Sequence, residues 1–94
     1  MRANGKAERV ELGRFIVADP KICHGKPTYK GTRIMVWQVL AMLERGEGWD
    51  YIRNAWPGRI SDQAIAETVR LARASLLDKR GHLAKEPVEL AAAK

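Results

Sequence analysis

Residues 24–34 read HGKPTYKGTRI, and the nature of this stretch decides how the rest of the chain is understood. Two glycines, two lysines and an arginine around a proline suit three things: a loop cradling a phosphate, a basic contact to nucleic acid, or a pair of tight turns. A phosphate cradle of the P-loop kind needs a longer glycine-rich stretch ending in Lys-Ser/Thr at a helix start. Here Pro27 follows Gly25-Lys26 and removes one of the backbone donors such a cradle uses. Gly31-Thr32-Arg33 leads into Ile34 rather than opening a helix directly. Turns within a small β-arm are therefore the favoured reading, because glycine admits the positive φ that tight turns require. Contact between nucleic-acid phosphates and Lys26, Lys30 or Arg33 is compatible with it.

Upstream, the β-branched and aromatic run Phe15 to Ala18 reads as a short strand stopped by the turn signal Asp19-Pro20. Residues 1–12 are polar, lack a clear period, and read as a loose arm with a short turn around Glu8–Leu12. Tyr29 and Ile34 flank a Lys30-Gly31 bend suited to joining two very short strands. Downstream the period changes. Val36, Val39, Leu40 and Leu43 lie at i, i+3, i+4 and i+7, which is one face of a helix, with Gly46 and Gly48 to end it. WDYIRNAW, residues 49–56, reads as a short helix with Trp49, Ile52 and Trp56 on one side, stopped by Pro57. Ser61 is suited to cap a third helix, with Asp62 favourable in its first turn. Ile65, Val69, Ala72 and Leu76 give that helix an apolar stripe, and it is expected to run to about Asp78 or Arg80 before Gly81. The remaining HLAKEPVELAAAK has only a weak apolar pattern.

Ninety-four residues bound the chain to one domain with a modest core. Apolar residues form 46% and charged residues 30%, an ordinary globular balance. The apolar runs are far too short to span a bilayer, no secretory signal pattern is present, and the single Cys23 fits a reducing cytoplasm. The net charge of +6 points to a polyanionic partner. It is concentrated early: residues 1–33 hold eight Lys/Arg against three acids, whereas residues 34–80 hold seven against six.

Catalytic and metal chemistry find little support. Adjacent Cys23 and His24 rarely chelate one ion, and neither CxxC nor HxxxH spacing supplies further ligands around them or His82. No paired carboxylates, nucleophile elbow or acid–base cluster appears, so no enzyme, metal or cofactor is expected. The helices carry more. A long helix, a short helix, a turn and another helix is the layout of a helix-turn-helix unit, whose last helix enters the major groove. Setting the apolar stripe aside leaves Gln63, Ala66, Glu67, Arg70 and Arg73 as its exposed set. Gln63 is suited to adenine edges and Arg70 to guanine or phosphate, while Asp62 and Glu67 would repel the DNA backbone unless aimed at cytosine or away from DNA. Trp37, Trp49 and Trp56 read as core or interface residues.

FIVADPKICHGKPTYKGTRIMVWQVLAMLERG together with WPGRISDQAIAETVRLA resembles a widespread prokaryotic family, family 433 of the domains of unknown function, often described as VapB-type antitoxins with a helix-turn-helix. The resemblance covers roughly residues 14–77, and Gly25, Lys26, Pro27, Gly31, Thr32, Arg33 and Ile34 occupy its hallmark positions. It implies a short β-arm, a homeodomain-like helical trio and a dimer. Some members are encoded beside a toxin with a PIN-like nuclease fold, which they are described as neutralising while repressing their own operon. Three positions depart from the family pattern: Met35 stands at a usual proline, Gly48 at a usual Ser/Thr cap, and PGRIS is one residue longer than the common turn.

The expectation is a mainly α fold: a homeodomain-like three-helix helix-turn-helix with a short N-terminal β-arm. Residues 1–13 would form a polar arm, 14–80 the domain and 81–94 a loosely ordered tail. The expected role is an antitoxin-like, cytoplasmic, homodimeric DNA-binding protein, contacting its operator through Lys26, Lys30, Arg33, Arg59, Gln63, Arg70 and Arg73. Leu83, Val88 and Leu90 would anchor the tail on a PIN-like toxin. The rival expectation is a protein-interaction module that binds a partner without touching DNA.

Overall fold

The computed structural model describes residues 8–83. Three short strands come first: β1 (Val10–Glu11), β2 (Ile16–Ala18) and β3 (Pro27–Tyr29). Three helices follow: α1 (Val36–Glu44), α2 (Trp49–Ala55) and α3 (Asp62–Leu76). The fold is thus three helices with a small antiparallel sheet of order β1-β2-β3. No helix among the described residues is long and apolar enough to cross a membrane.

The strand expected over Phe15 to Ala18 forms as β2 and stops at Asp19, whose carboxylate accepts from the Lys21 N–H at 2.9 Å. Its edge partner β1 lies where a turn around Glu8–Leu12 was expected; Val10 pairs with Ala18 and Glu11 with Val17. Two-residue strands carry too little alternation to be seen in a sequence. The Lys30-Gly31 bend closes as anticipated: Gly31 has φ +78°, the Tyr29 N–H donates to the Ile34 carbonyl at 3.0 Å, and the Thr32 N–H to the Tyr29 carbonyl at 3.0 Å. Beyond it the second strand shrinks to a single Thr28–Met35 bridge, because the chain turns directly into α1.

Ile16 pairs with Tyr29, and both pack with Val39 and Met42 of α1, Ile52 of α2 and Ile65 of α3. Val17 and Thr28 form the next cross-strand pair, alternate to the opposite face of the sheet, and are buried as well. Trp56 packs on the edge of the core, as expected for an interior tryptophan, but Trp37 and Trp49 are exposed.

Helix α1 keeps the expected face in part. Val39 is buried with Val36 and Leu43 beside it, but Met42 takes the place expected for Leu40, which is exposed. No proline or polar cap starts this helix; instead Gln38 Oε1 accepts from the Met35 N–H at 3.0 Å. At α2, Gly48 provides no side-chain cap. At α3, Ser61 does so as expected: its Oγ accepts from the Ala64 N–H at 3.1 Å.

The apolar stripe expected on α3 is corrected. Ile65 is buried, but Val69 and Leu76 are 43% and 44% exposed and Ala72 is exposed too. The buried arc runs through Ala64, Ile65, Glu67 and Thr68. Polar side chains enter it because each finds partners: the Thr68 hydroxyl donates to the Ala64 carbonyl at 2.9 Å and lies 2.6 Å from the Tyr29 hydroxyl. Beyond Thr68 only Leu71 of α3 still packs against the core. The helix also ends at Leu76, earlier than expected, with Leu77 extended and bridged to Leu83. Gly81 belongs to the next turn, in which Asp78 Oδ1 accepts from the Arg80 and His82 N–H groups, each at 2.9 Å.

Candidate nucleic-acid interface

Between the sheet and the start of α3 lies an open cleft of about 570 Å³. Four separate segments supply its cations. Arg14 comes from the turn before β2, Lys30 from the bend after β3, Arg53 from the end of α2, and Arg59 from the turn before α3. Phe15, Tyr29 and Ile60 form its apolar floor, and Ser61 and Ala64 bring in the first turn of α3, the positive end of that helix dipole.

These cations are not equivalent. Arg53 is bonded to both Asp50 and Asp62, and this pairing, with Asp62 first, raises its pKa further above the ordinary guanidinium value. Lys30 pairs with Glu11, and the bond from Lys30, then that from Arg9, holds the Glu11 carboxyl below its usual range. Arg14 and Arg59 have no ion-pair partner among the described residues. The Arg14 guanidinium lies over the Phe15 ring, 5.2 Å from its centroid, within cation–π range. A cleft with two uncompensated guanidinium groups, beside Lys30 paired with Glu11 and Arg53 paired with two carboxylates, fits a polyanion better than a neutral ligand.

The residues expected at a DNA contact fall into four places. Lys30 and Arg59 meet in this cleft; Arg33 joins Arg59 in an adjoining depression of about 260 Å³ that Gly31, Thr32 and Ile22 complete. Arg70 and Arg73 line a different hollow, of about 410 Å³, further along α3 with Asp78, Lys79 and Arg80, and Arg70 also comes within 3.5 Å of Glu67. Lys26 sits elsewhere, at an apolar groove of about 450 Å³ formed with Pro27, Val36, Trp37 and Leu40; Trp37 is 55% exposed there. Gln63 is exposed in the first turn of α3. Of the expected tail anchors, Leu83 is exposed, while Val88 and Leu90 lie outside the described residues.

Arg14 and Arg53 were missing from the sequence-derived set. Arg14 follows a glycine before a strand, a position with no local signature, and Arg53 looks like any exposed cation of a short helix. Glu67 needs correction too. It was expected on the exposed, DNA-repelling side of α3, yet it is buried, with Oε1 accepting from the Phe15 N–H at 2.7 Å and Oε2 from the Arg14 N–H at 2.8 Å. Burial by itself would raise the Glu67 carboxyl, but these two bonds, with Arg70 and Lys30 nearby, outweigh it and hold it below the usual carboxylate range. Its charge is spent inside the fold. Cys23 is half-buried with Sγ 3.7 Å from the Arg33 carbonyl oxygen, so it packs against the backbone of the basic loop.

The sequence model of the family described as "Protein of unknown function (DUF433)" matches residues 16–72. The chain belongs to that family. The matched span takes in β2, β3, the basic bend, all of α1 and α2, and α3 as far as Ala72. Within it the family member carries Lys30, Arg53 and Arg59 of the cleft, while Arg14 falls just ahead. Neither the curated proteins nor the solved structures yield a match.

Proposed function

We propose that this chain is a DNA-binding protein of the antitoxin kind, acting in the cytoplasm as a homodimer. In this reading α2, the turn at residues 56–61 and α3 serve as the helix-turn-helix unit, and the sheet bend flanks it. The observation that carries the DNA contact is the meeting of Arg14, Lys30 and Arg59 beside the first turn of α3. Sugar–phosphate backbone would run along that cleft, placing Gln63 toward base edges. Arg70 and Arg73, with Lys79 and Arg80, supply a second basic patch for flanking phosphate. The side of α3 on which Val69, Ala72 and Leu76 are exposed supports pairing of two copies. The toxin-binding half of the proposal rests on the family resemblance, and co-purification with the product of a neighbouring PIN-like reading frame tests it.

Binding to the DNA upstream of its own gene, measured by fluorescence anisotropy across a salt series, tests the DNA contact. Each phosphate contact contributes about 0.9 to the slope of log affinity against log salt. Arg59→Ala is expected to lower that slope by about 1 and weaken binding on every sequence, whereas Lys26→Ala, outside the cleft, leaves it unchanged. Equal affinity for an unrelated duplex refutes operator recognition, and an Arg59→Ala protein with unaltered slope refutes the cleft.

A second reading, an interaction module that does not touch DNA, is favoured by the apolar groove at Trp37 and Leu40. It predicts that Trp37→Ser abolishes partner capture while Arg59→Ala leaves it intact.

A further inference from the structure

The Arg14 side chain reaches the cleft from a turn of unusual construction. The Leu12 and Gly13 N–H groups both donate to the Ile16 carbonyl, at 3.0 and 3.1 Å, which closes one side of the turn. The next two N–H groups, of Arg14 and Phe15, go instead to the two oxygens of Glu67, more than fifty residues away on α3. Glu67 is 4% exposed. Gly13 leaves the room the carboxylate needs, since a Cβ there would fall 2.4 Å from Glu67 Cδ. The Phe15 carbonyl in turn accepts from the Lys30 N–H at 2.9 Å, so one carboxylate ties α3, the turn and the basic bend together. The Phe15 ring packs against the core, and the Arg14 guanidinium lies over it.

We infer that Glu67 is a positioning residue for nucleic-acid binding: by gripping the Arg14 and Phe15 amides it fixes Arg14 in the cleft relative to the first turn of α3. This inference rests on the cleft being the DNA contact. A negative residue in the middle of the helix beside the cleft thereby serves a basic site. Its charge is held by backbone donors, and Arg70, 3.5 Å from Oε2, covers its rim. Pre-fixing the backbone of a phosphate-binding arginine lowers the ordering entropy that binding would otherwise cost.

Two substitutions break the grip by different routes. Glu67→Gln keeps the size but sets an amide N–H₂ against one of the two backbone donors. Gly13→Ala keeps Glu67 and its charge but pushes the carboxylate away by contact. In either variant the Arg14 and Phe15 amides are expected to exchange hydrogen much faster, while the Val39 and Ile65 amides keep their protection and report an intact core. On a duplex carrying the upstream sequence, both variants are expected to lower the salt slope by about 1, as Arg14→Ala does. In an Arg14→Ala background Glu67→Gln is expected to add no further loss, the signature of two residues acting as one.

Full additivity of Glu67→Gln and Arg14→Ala, or unchanged protection of the two amides, overturns the inference. Where Arg59→Ala weakens binding and these outcomes still appear, only the positioning role fails. Where Arg59→Ala has no effect, the cleft itself is the wrong site and the inference falls with it.

Discussion

Thr28 is fully buried in β3, opposite Val17, and its hydroxyl oxygen has no hydrogen-bond partner among the described residues. Replacing it with valine keeps the β-branched shape, suits the strand, and exchanges the unpaired hydroxyl for a methyl group against the Val17 side chain. A buried hydroxyl without a partner costs about 1–3 kcal/mol on protein mutational data. Thr28→Val is therefore expected to stabilise the protein by about 1–2 kcal/mol, the lower half of that range allowing for imperfect fit of the new methyl. Each kcal/mol raises Tm by about 4–8 °C in a domain of this size. Thr68→Val supplies the internal control. Its hydroxyl is paired with both the Ala64 carbonyl and the Tyr29 hydroxyl, whose pKa burial pushes up while the Thr68 bond opposes the rise. Removing it strands the Tyr29 hydroxyl in the core and is expected to cost about 1–3 kcal/mol. Urea unfolding followed by far-UV circular dichroism measures both, with an unchanged m-value showing that the shift in midpoint is a shift in stability. A Thr28→Val protein destabilised by about 1 kcal/mol or more refutes the reasoning, because it requires a partner for that hydroxyl, such as an internal water.

Two further outcomes follow from the packing. The Glu67 carboxyl is held below its ordinary value of 4.5, so its contribution to stability is complete above that pH and is lost as pH falls through the lowered folded-state value. Urea titrations below pH 4.5 are expected to show a shallower loss in Glu67→Gln than in the unaltered protein, and parallel losses in the two would contradict the grip on the Arg14 and Phe15 amides. On α3, Ile65→Ala is expected to cost about 2–5 kcal/mol whereas Val69→Ala, one turn on but outside the core, stays within about 0.5 kcal/mol in the monomer. The same denaturation experiment ranks them.

Much of the fold was legible where the physics is local. The stop of β2 at Asp19-Pro20, the Gly31 bend, the start of α3 at Ser61 and the buried Val39 and Ile52 all follow from turn chemistry, capping and periodicity. The two-residue β1 was illegible because its strand identity comes from pairing with β2. The apolar stripe of α3 misled for a related reason. Hydropathy ranks Val69 and Leu76 above Thr68 and Glu67, but it cannot register which side of the helix the body of the protein covers. Nor can it register that Tyr29 and the Arg14 and Phe15 amides wait to satisfy the polar pair.

The cleft divides in the same way. Lys30, Arg33 and Arg59 stood out in the sequence because they lie in segments read as turns, where a cation on an exposed bend is easily noticed, whereas Arg14 precedes a strand. Their separation from Lys26 and from Arg70 and Arg73 was not visible, nor was the recruitment of Arg14. By itself the sequence determined the sign of the surface charge and the bends that carry it, because charge and turn preference belong to single residues and their neighbours. Only the tertiary structure decided which cations share one cleft and which carboxylate faces inward. Both depend on groups far apart in the chain arriving within a hydrogen bond of each other, and no spacing along the sequence encodes that.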